Sequence, residues 1–177
     1  NTILEDVNTY QFNNSLGVSL TLASIPDDAK YIIVEMGMNA KGELSSLSEQ
    51  ALPDIAVITT ISEAHIEFFD SIEEIADAKC EIFEGLDLNE GIAIINRDMS
   101  TYERCIDNID EANLQNIKTF GKRVDANVRL TSYEILDDNA VRIKYKVGNE
   151  EVELAMNFIP IHLAENFAAA FAVVDAL

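Results

Sequence analysis

Four short apolar runs, set apart by segments of helical character, constrain the fold of this chain more than any other feature. They are Tyr31-Ile32-Ile33-Val34-Glu35-Met36, Ile55-Ala56-Val57-Ile58-Thr59-Thr60-Ile61, Gly91 to Ile95, and Ile117-Lys118-Thr119-Phe120-Gly121. The first is almost continuously apolar, as expected of a strand covered on both faces. Ser15 to Ile25, Glu43 to Leu52, Ile72 to Leu86 and Thr101 to Leu114 read as helices before and between them. Strands alternating with helices at this spacing imply an α/β fold with a doubly wound, mainly parallel sheet. After Gly121 the character changes. Segments 127–136, 140–147 and 151–158 are strand-like but only partly apolar, and Val141, Ile143, Tyr145 and Val147 alternate with other residues. Asp137-Asp138-Asn139 and Gly148-Asn149-Glu150 supply turn chemistry between them. The pattern predicts a small antiparallel β meander over 127–158, packed beside the main sheet. Leu163 to Leu177 closes the chain as an alanine-rich helix. No internal repeat or low-complexity linker divides it, so residues 1–177 read as one domain with a subdomain.

Lys79 stands out within this frame. At about 100° per residue, Ile72, Ile75, Ala76, Ile82, Phe83 and Leu86 form one apolar stripe, and Lys79 falls near its middle. Glu73, Glu74, Asp77, Glu81 and Glu84 face away. Ser71-Ile72-Glu73-Glu74 fits a capping box at the start of this helix, and Gly85 lies near its end. A lysine facing inward snorkels out, pairs with an acid, or loses its proton. A neutral amine is a nucleophile, and with carbon dioxide it forms a carbamate, a carboxylate-like metal ligand.

Composition narrows the function classes. A net charge of −20 argues against a nucleic-acid partner. No apolar run approaches the ~20 residues needed to cross a bilayer, so no membrane insertion is expected. Nothing at the start resembles a signal peptide, and Asn1-Thr2-Ile3-Leu4-Glu5-Asp6 looks like the interior of a longer protein. Cys80 and Cys105 form no motif and are expected as free buried thiols in a reducing cytoplasm.

Several further residues are placed for chemistry. Glu35 interrupts the first apolar run near its carboxyl end, where ligands collect in open parallel sheets. A carboxylate there suits a divalent cation, or bonds to the following loop. His65 follows the second run, so it emerges from the same edge as a surface residue or a ligand. Asn13 and Asn14 precede the first helix, as caps or as ligand contacts. Asn96-Arg97-Asp98 ends the third run, with a loop ion pair preferred. His162 and Asn166 open the final helix, where a capping or hydrogen-bonding role is the plain expectation. No G-x-x-x-x-G-K-[ST] or G-x-G-x-x-G occurs, so a nucleotide-using enzyme would need its phosphate cradle upstream of Asn1.

Taken together, these motifs resemble the central domain of Mur ligases. Ile33-Val34-Glu35-Met36-Gly37-Met38-Asn39-Ala40-Lys41-Gly42-Glu43-Leu44 is similar to the type that adds D-alanyl-D-alanine to UDP-N-acetylmuramoyl-tripeptide. Ser62 to Ser71 with Ala76 to Phe83, Phe12 to Val18, and His162 to Ala170 resemble further blocks of that family. The resemblance implies an ATP- and Mg2+-dependent, cytoplasmic amide ligase working through an acyl phosphate, with separate N-terminal UDP-binding and C-terminal domains. It implies Glu35, His65 and a carbamylated Lys79 as metal ligands, with His65 and Lys79 at the catalytic centre. It places Asn13 and Asn14 at the substrate or phosphate region and Asn166 near the adenine. Tyr10-Gln11, Ser19 and Pro160 depart from the family's usual residues. The alternatives are another Mur-type or folylpolyglutamate-type ligase, or a non-catalytic binding domain without a P-loop.

Overall fold

The computed structural model describes residues 13–62, 69–137 and 139–177. Helix α1 (Ser15–Ala23) opens at Asn14, whose side-chain oxygen accepts from the Gly17 amide at 3.0 Å. Helix α2 (Glu43–Ala51) follows Gly42, which adopts φ 85°, a conformation glycine reaches at little cost. Strand β1 (Ile55–Ile58) precedes helix α3 (Ile72–Cys80). Ser71 Oγ accepts from the Glu74 amide at 3.2 Å, and the Glu74 carboxylate reaches back to the Asp70 amide at 3.0 Å. This is the expected capping box, with its return bond one residue further upstream.

The Lys79 helix is shorter than its periodicity suggests. After Cys80 it tightens into the 3-10 turn Glu81–Gly85. The cause is Ser48, a fully buried residue of α2. Its hydroxyl donates to the Ile82 carbonyl and accepts from the Gly85 amide at 3.2 Å, taking the groups that would continue an α ladder. Gly85 lies so close to the Ser48 backbone that a Cβ has no room there.

Strand β2 (Ile92–Asn96), helix α4 (Tyr102–Glu111), strands β3 (Asn116–Gly121), β4 (Val128–Asp137), β5 (Ala140–Val147) and β6 (Glu150–Asn157), and helix α5 (Ile161–Val174) complete the described elements. The six strands form one sheet in the order β1-β2-β3-β4-β5-β6. The pairings from β1 to β4 are parallel, and those from β4 to β6 are antiparallel. The meander therefore extends the main sheet instead of packing beside it. Phe120 pairs with Val128 and Gly121 with Arg129, and Phe120, Val128 and Leu130 share one buried core.

A second expectation is corrected at Tyr31–Met36. This segment forms no strand, because no described neighbour offers it a ladder. Tyr31, Ile32 and Ile33 are exposed, while Val34 and Met36 pack against the core.

Helices cover both faces of the sheet. Ala56, Ile58, Ala93 and Ile95 meet α1 to α4 on one face. Ile55, Val57, Ile92 and Ile94 share the opposite core with Ala164, Ala168 and Ala172 of α5. The alternation of strand residues between the two cores follows from the period-two geometry of a strand. Helix α5 runs antiparallel to β3. Lys122 pairs with Glu165 at 2.6 Å near the carboxyl end of β3, and Lys118 with Asp175 at 2.7 Å further back. On the solvent face of the meander, Arg142 and Lys144 pair with Glu153 across the β5–β6 register, at 3.2 and 3.1 Å. No helix among the described residues is long and apolar enough to cross a membrane.

Candidate functional site

The carboxyl ends of the parallel strands are joined by side chains that bond to backbone. Asn96, the last residue of β2, donates from Nδ2 to the Thr59 carbonyl at 2.9 Å, just past β1. Its Oδ1 accepts from the Asp98 amide at 2.9 Å. The Asp98 carboxylate accepts from the amides of Lys122 and Arg123, at 2.6 and 3.1 Å, just past β3. Gly121 makes room for it: a Cβ there would stand 2.8 Å from Asp98 Oδ2, and its φ is +147°. Asn96 and Asp98 thus stitch three strand ends into one rim.

The ion pair expected of this segment comes from Arg97. The guanidinium pairs with Asp125 at 3.0 Å and Glu103 at 3.5 Å, and lies 3.9 Å over the Tyr102 ring. The rim-building roles of Asn96 and Asp98 were missed. Their only signal was two short hydrogen-bonding side chains flanking an arginine at a strand end.

Glu35 lies exposed in the extended segment before Gly37. Asn13 Nδ2 donates to its Oε1 at 3.4 Å, and the Gly37 amide donates to the Asn13 carbonyl at 2.8 Å. Asn13 and Glu35 are therefore brought together. Asn14 sits beside Asn13, but its oxygen is committed to capping α1.

Lys79 is half-buried on α3, between the buried residues Ala78 and Cys80. Desolvation pulls its pKa below the ordinary value of 10.5, since burial penalises the charged form. Among the described residues its ammonium makes no ion pair. Asp77, two residues earlier on α3, faces α4 instead. Arg104 holds it at 2.6 and 2.8 Å and, with Asn108, keeps its carboxyl below the usual carboxylate range. Cys80 and Cys105 are free and buried, as expected. The neighbouring Cys105 thiol, together with burial, pushes Cys80 up, and the Cys80 thiol holds Cys105 down.

His65 lies outside the described residues. Asn166 is exposed on α5, next to the Glu165 that pairs with Lys122 near the carboxyl end of β3. His162 is exposed in the first turn, and no side chain caps that helix. No direct contact joins Glu35, Lys79 and Asn166 among the described hydrogen bonds and ion pairs. Nor, among the described residues, do three His, Cys, Asp or Glu side chains converge on one metal position. A lysine ammonium brings no metal donor, whereas a carbamate would bring two oxygens.

A sheet of this order, with helices on both faces, is that of a family of ligase domains. The Mur ligase middle domain model matches residues 2–174, and the chain belongs to that family. It is 42% identical over 166 residues to the UDP-N-acetylmuramoyl-tripeptide--D-alanyl-D-alanine ligase of Rickettsia prowazekii (strain Madrid E), covering 94% of this chain and 36% of that protein. The crystal structure of MurF from Acinetobacter baumannii superposes with a TM-score of 0.86 at 25% identity, over 96% of this chain and 36% of that one. A variant of L. casei FPGS shares the fold with a TM-score of 0.60 at 14% identity, over 82% of this chain and 33% of that one. The chain thus spans about a third of the length of the relatives it matches.

Proposed function

We propose that this chain is the middle domain of a cytoplasmic, ATP-dependent ligase that joins D-alanyl-D-alanine to UDP-N-acetylmuramoyl-tripeptide during peptidoglycan precursor synthesis. The match of 94% of this chain to a relative of that name, 42% identical, carries the reading. Two features of the site support it: the Asn13–Glu35 pair and the desolvated Lys79.

The residues present fit a magnesium ion. Glu35 offers exposed carboxylate oxygens with a single amide donor on them, leaving lone pairs for a hard cation. Lys79 fits a carbamate because its lowered pKa enlarges the neutral amine fraction. The ammonium first gives up one proton; the neutral amine nitrogen then bonds to the carbon of CO2 and releases a second, so a half-buried positive charge becomes a carboxylate-like anion. Glu35 would then hold the magnesium shared with the ATP phosphates, and His65 with carbamylated Lys79 a second one; magnesium when bound neutralises charge on the transferring phosphoryl group. Asn13 orients Glu35. Asn14 and Asn166 would border the phosphate or substrate region and the adenine. The sequence holds no glycine-rich lysine motif, so the triphosphate cradle is assigned to parts of the ligase outside these residues.

In this reading the terminal carboxylate of the tripeptide attacks the γ-phosphorus of ATP, and ADP leaves with its bond electrons. The dipeptide amine then attacks the acyl carbon, and phosphate leaves as the amine gives up a proton. The protein's share is charge stabilisation at a fixed rim. The test is Lys79→Ala in a ligase carrying this domain together with the regions its relatives add. Turnover should fall by about 100-fold or more, and small carboxylic acids should restore part of it. Unchanged turnover removes the assignment.

A further inference from the structure

Glu81 joins the segment that carries Glu35 to the helix that carries Lys79. Gly42, the residue that precedes α2, has no side chain to cap that helix. A carboxylate from 39 residues later does the work: the Gly42 amide donates to both oxygens of Glu81, each at 2.8 Å. The Ser45 amide points to Glu81 Oε2 at 3.5 Å, and Ser45 Oγ donates to the Glu84 carboxylate. The first turn of α2 is therefore held by side chains of the 3-10 turn that ends α3.

The same loop is fastened at two other points. The Gly37 amide donates to the Asn13 carbonyl at 2.8 Å, and the Asn39 amide to Glu43 Oε2 at 2.8 Å. Glu35 stands just before the first of these anchors, and Lys79 just before Glu81. Glu35 and Lys79 are far apart along the chain, yet Glu81 spans the gap between their two segments with one side chain. A carboxylate at a helix N-terminus also meets the favourable end of the helix dipole.

We propose that Glu81 is a positioning residue, which fixes the Glu35 segment against the Lys79 helix and so sets the spacing of these two proposed magnesium ligands. The inference rests on the ligase reading and goes beyond it in assigning the clamp. Glu81→Gln keeps a neutral acceptor oxygen, and Glu81→Ala keeps none. Tyr145→Phe removes a buried hydrogen bond far from the clamp and serves as a control for lost stability alone.

In a ligase carrying this domain, Glu81→Ala should raise the Mg2+ concentration for half-maximal rate about 10-fold, the scale of losing a group that orients a ligand. Glu81→Gln should stay within about 3-fold, and Tyr145→Phe should not change the Mg2+ requirement. In the 177-residue chain, Glu81→Ala should speed amide exchange at Gly42 and Ser45 about 10-fold, a readout independent of ligation. The proposal is overturned if the Mg2+ requirement of Glu81→Ala matches that of Tyr145→Phe, if Glu81→Gln is as impaired as Glu81→Ala, or if the two amides exchange as in the parent. Lys79→Ala reports separately on the ligase reading: unchanged turnover there removes that reading, while the exchange measurement still decides whether the clamp exists.

Discussion

The Asn13 amide nitrogen lies 3.4 Å from Glu35 Oε1, and the Asn13 carbonyl accepts from the Gly37 amide at 2.8 Å. One residue thus grips both the carboxylate and the backbone that carries it. In a ligase carrying this domain, Glu35→Ala should lower turnover by about 100-fold or more, and Asn13→Ala by about 10-fold. Gly37→Ala should behave like Asn13→Ala, because a Cβ there would stand 2.9 Å from Asn13 Nδ2 and push the amide off Glu35. Steady-state rates over a Mg2+ titration check the series. A wild-type rate in Asn13→Ala would remove its orienting role.

Lys79 carries a pH prediction. Its folded pKa is lowered from 10.5, so between the two values the unfolded chain binds more protons. Stability therefore rises with pH as the folded ammonium loses its proton, and the gain is complete above 10.5. At lower pH, burying the charged form works against the fold. Lys79→Met should accordingly be more stable than the parent chain at pH 7 in CO2-free buffer. That advantage should shrink as pH approaches 10.5. Denaturant midpoints at both pH values decide it, and an advantage that does not change with pH would refute desolvation as the cause.

The parallel layout, the capping box at Ser71 and the inward lean of Lys79 were legible because each is a local pattern. Apolar period, a short hydroxyl before Glu74 and helical spacing all act within a few residues. The failures are non-local. Tyr31–Met36 has the composition of a buried strand, but a strand exists only where a neighbour supplies its ladder. The early end of α3 was hidden because Ser48, on another helix, takes the Ile82 and Gly85 backbone groups. Nothing in the sequence around Gly42 announces that Glu81 caps it. Asn13 was legible as a residue of interest, but its two bonds to the Glu35–Gly37 segment required the fold.

Ser48 is fully buried, and its hydroxyl serves two backbone groups at the junction of α2 and the 3-10 turn. Ser48→Ala strands the Gly85 amide and the Ile82 carbonyl away from water. Such an unsatisfied buried group costs about 1–3 kcal/mol. Ser48→Thr keeps the hydroxyl but adds a methyl to a site with no spare room, so it should also destabilise. Equilibrium urea unfolding of the chain measures both. A loss in Ser48→Ala of under about 0.5 kcal/mol would mean that the backbone finds other partners.

Tyr145 tests the opposite core. Its side chain is fully buried, and its hydroxyl donates to the Ala164 carbonyl at 2.8 Å, anchoring α5 on β5. Its ring also meets Phe171 at 4.9 Å between centroids. Tyr145→Phe keeps the ring and removes the bond, which should cost about 1 kcal/mol near neutral pH. Burial pushes the phenol up from 10.0 to about 12, so the folded chain holds its proton after the unfolded chain has released its own. The contribution is intact below pH 10.0 and declines as pH rises through about 12. The phenylalanine variant cannot titrate there, so the stability gap between the two proteins should narrow across that window. A gap of constant size from pH 8 to pH 12, followed by denaturant midpoints, would show that the Tyr145 hydroxyl does not couple its ionisation to the docking of α5.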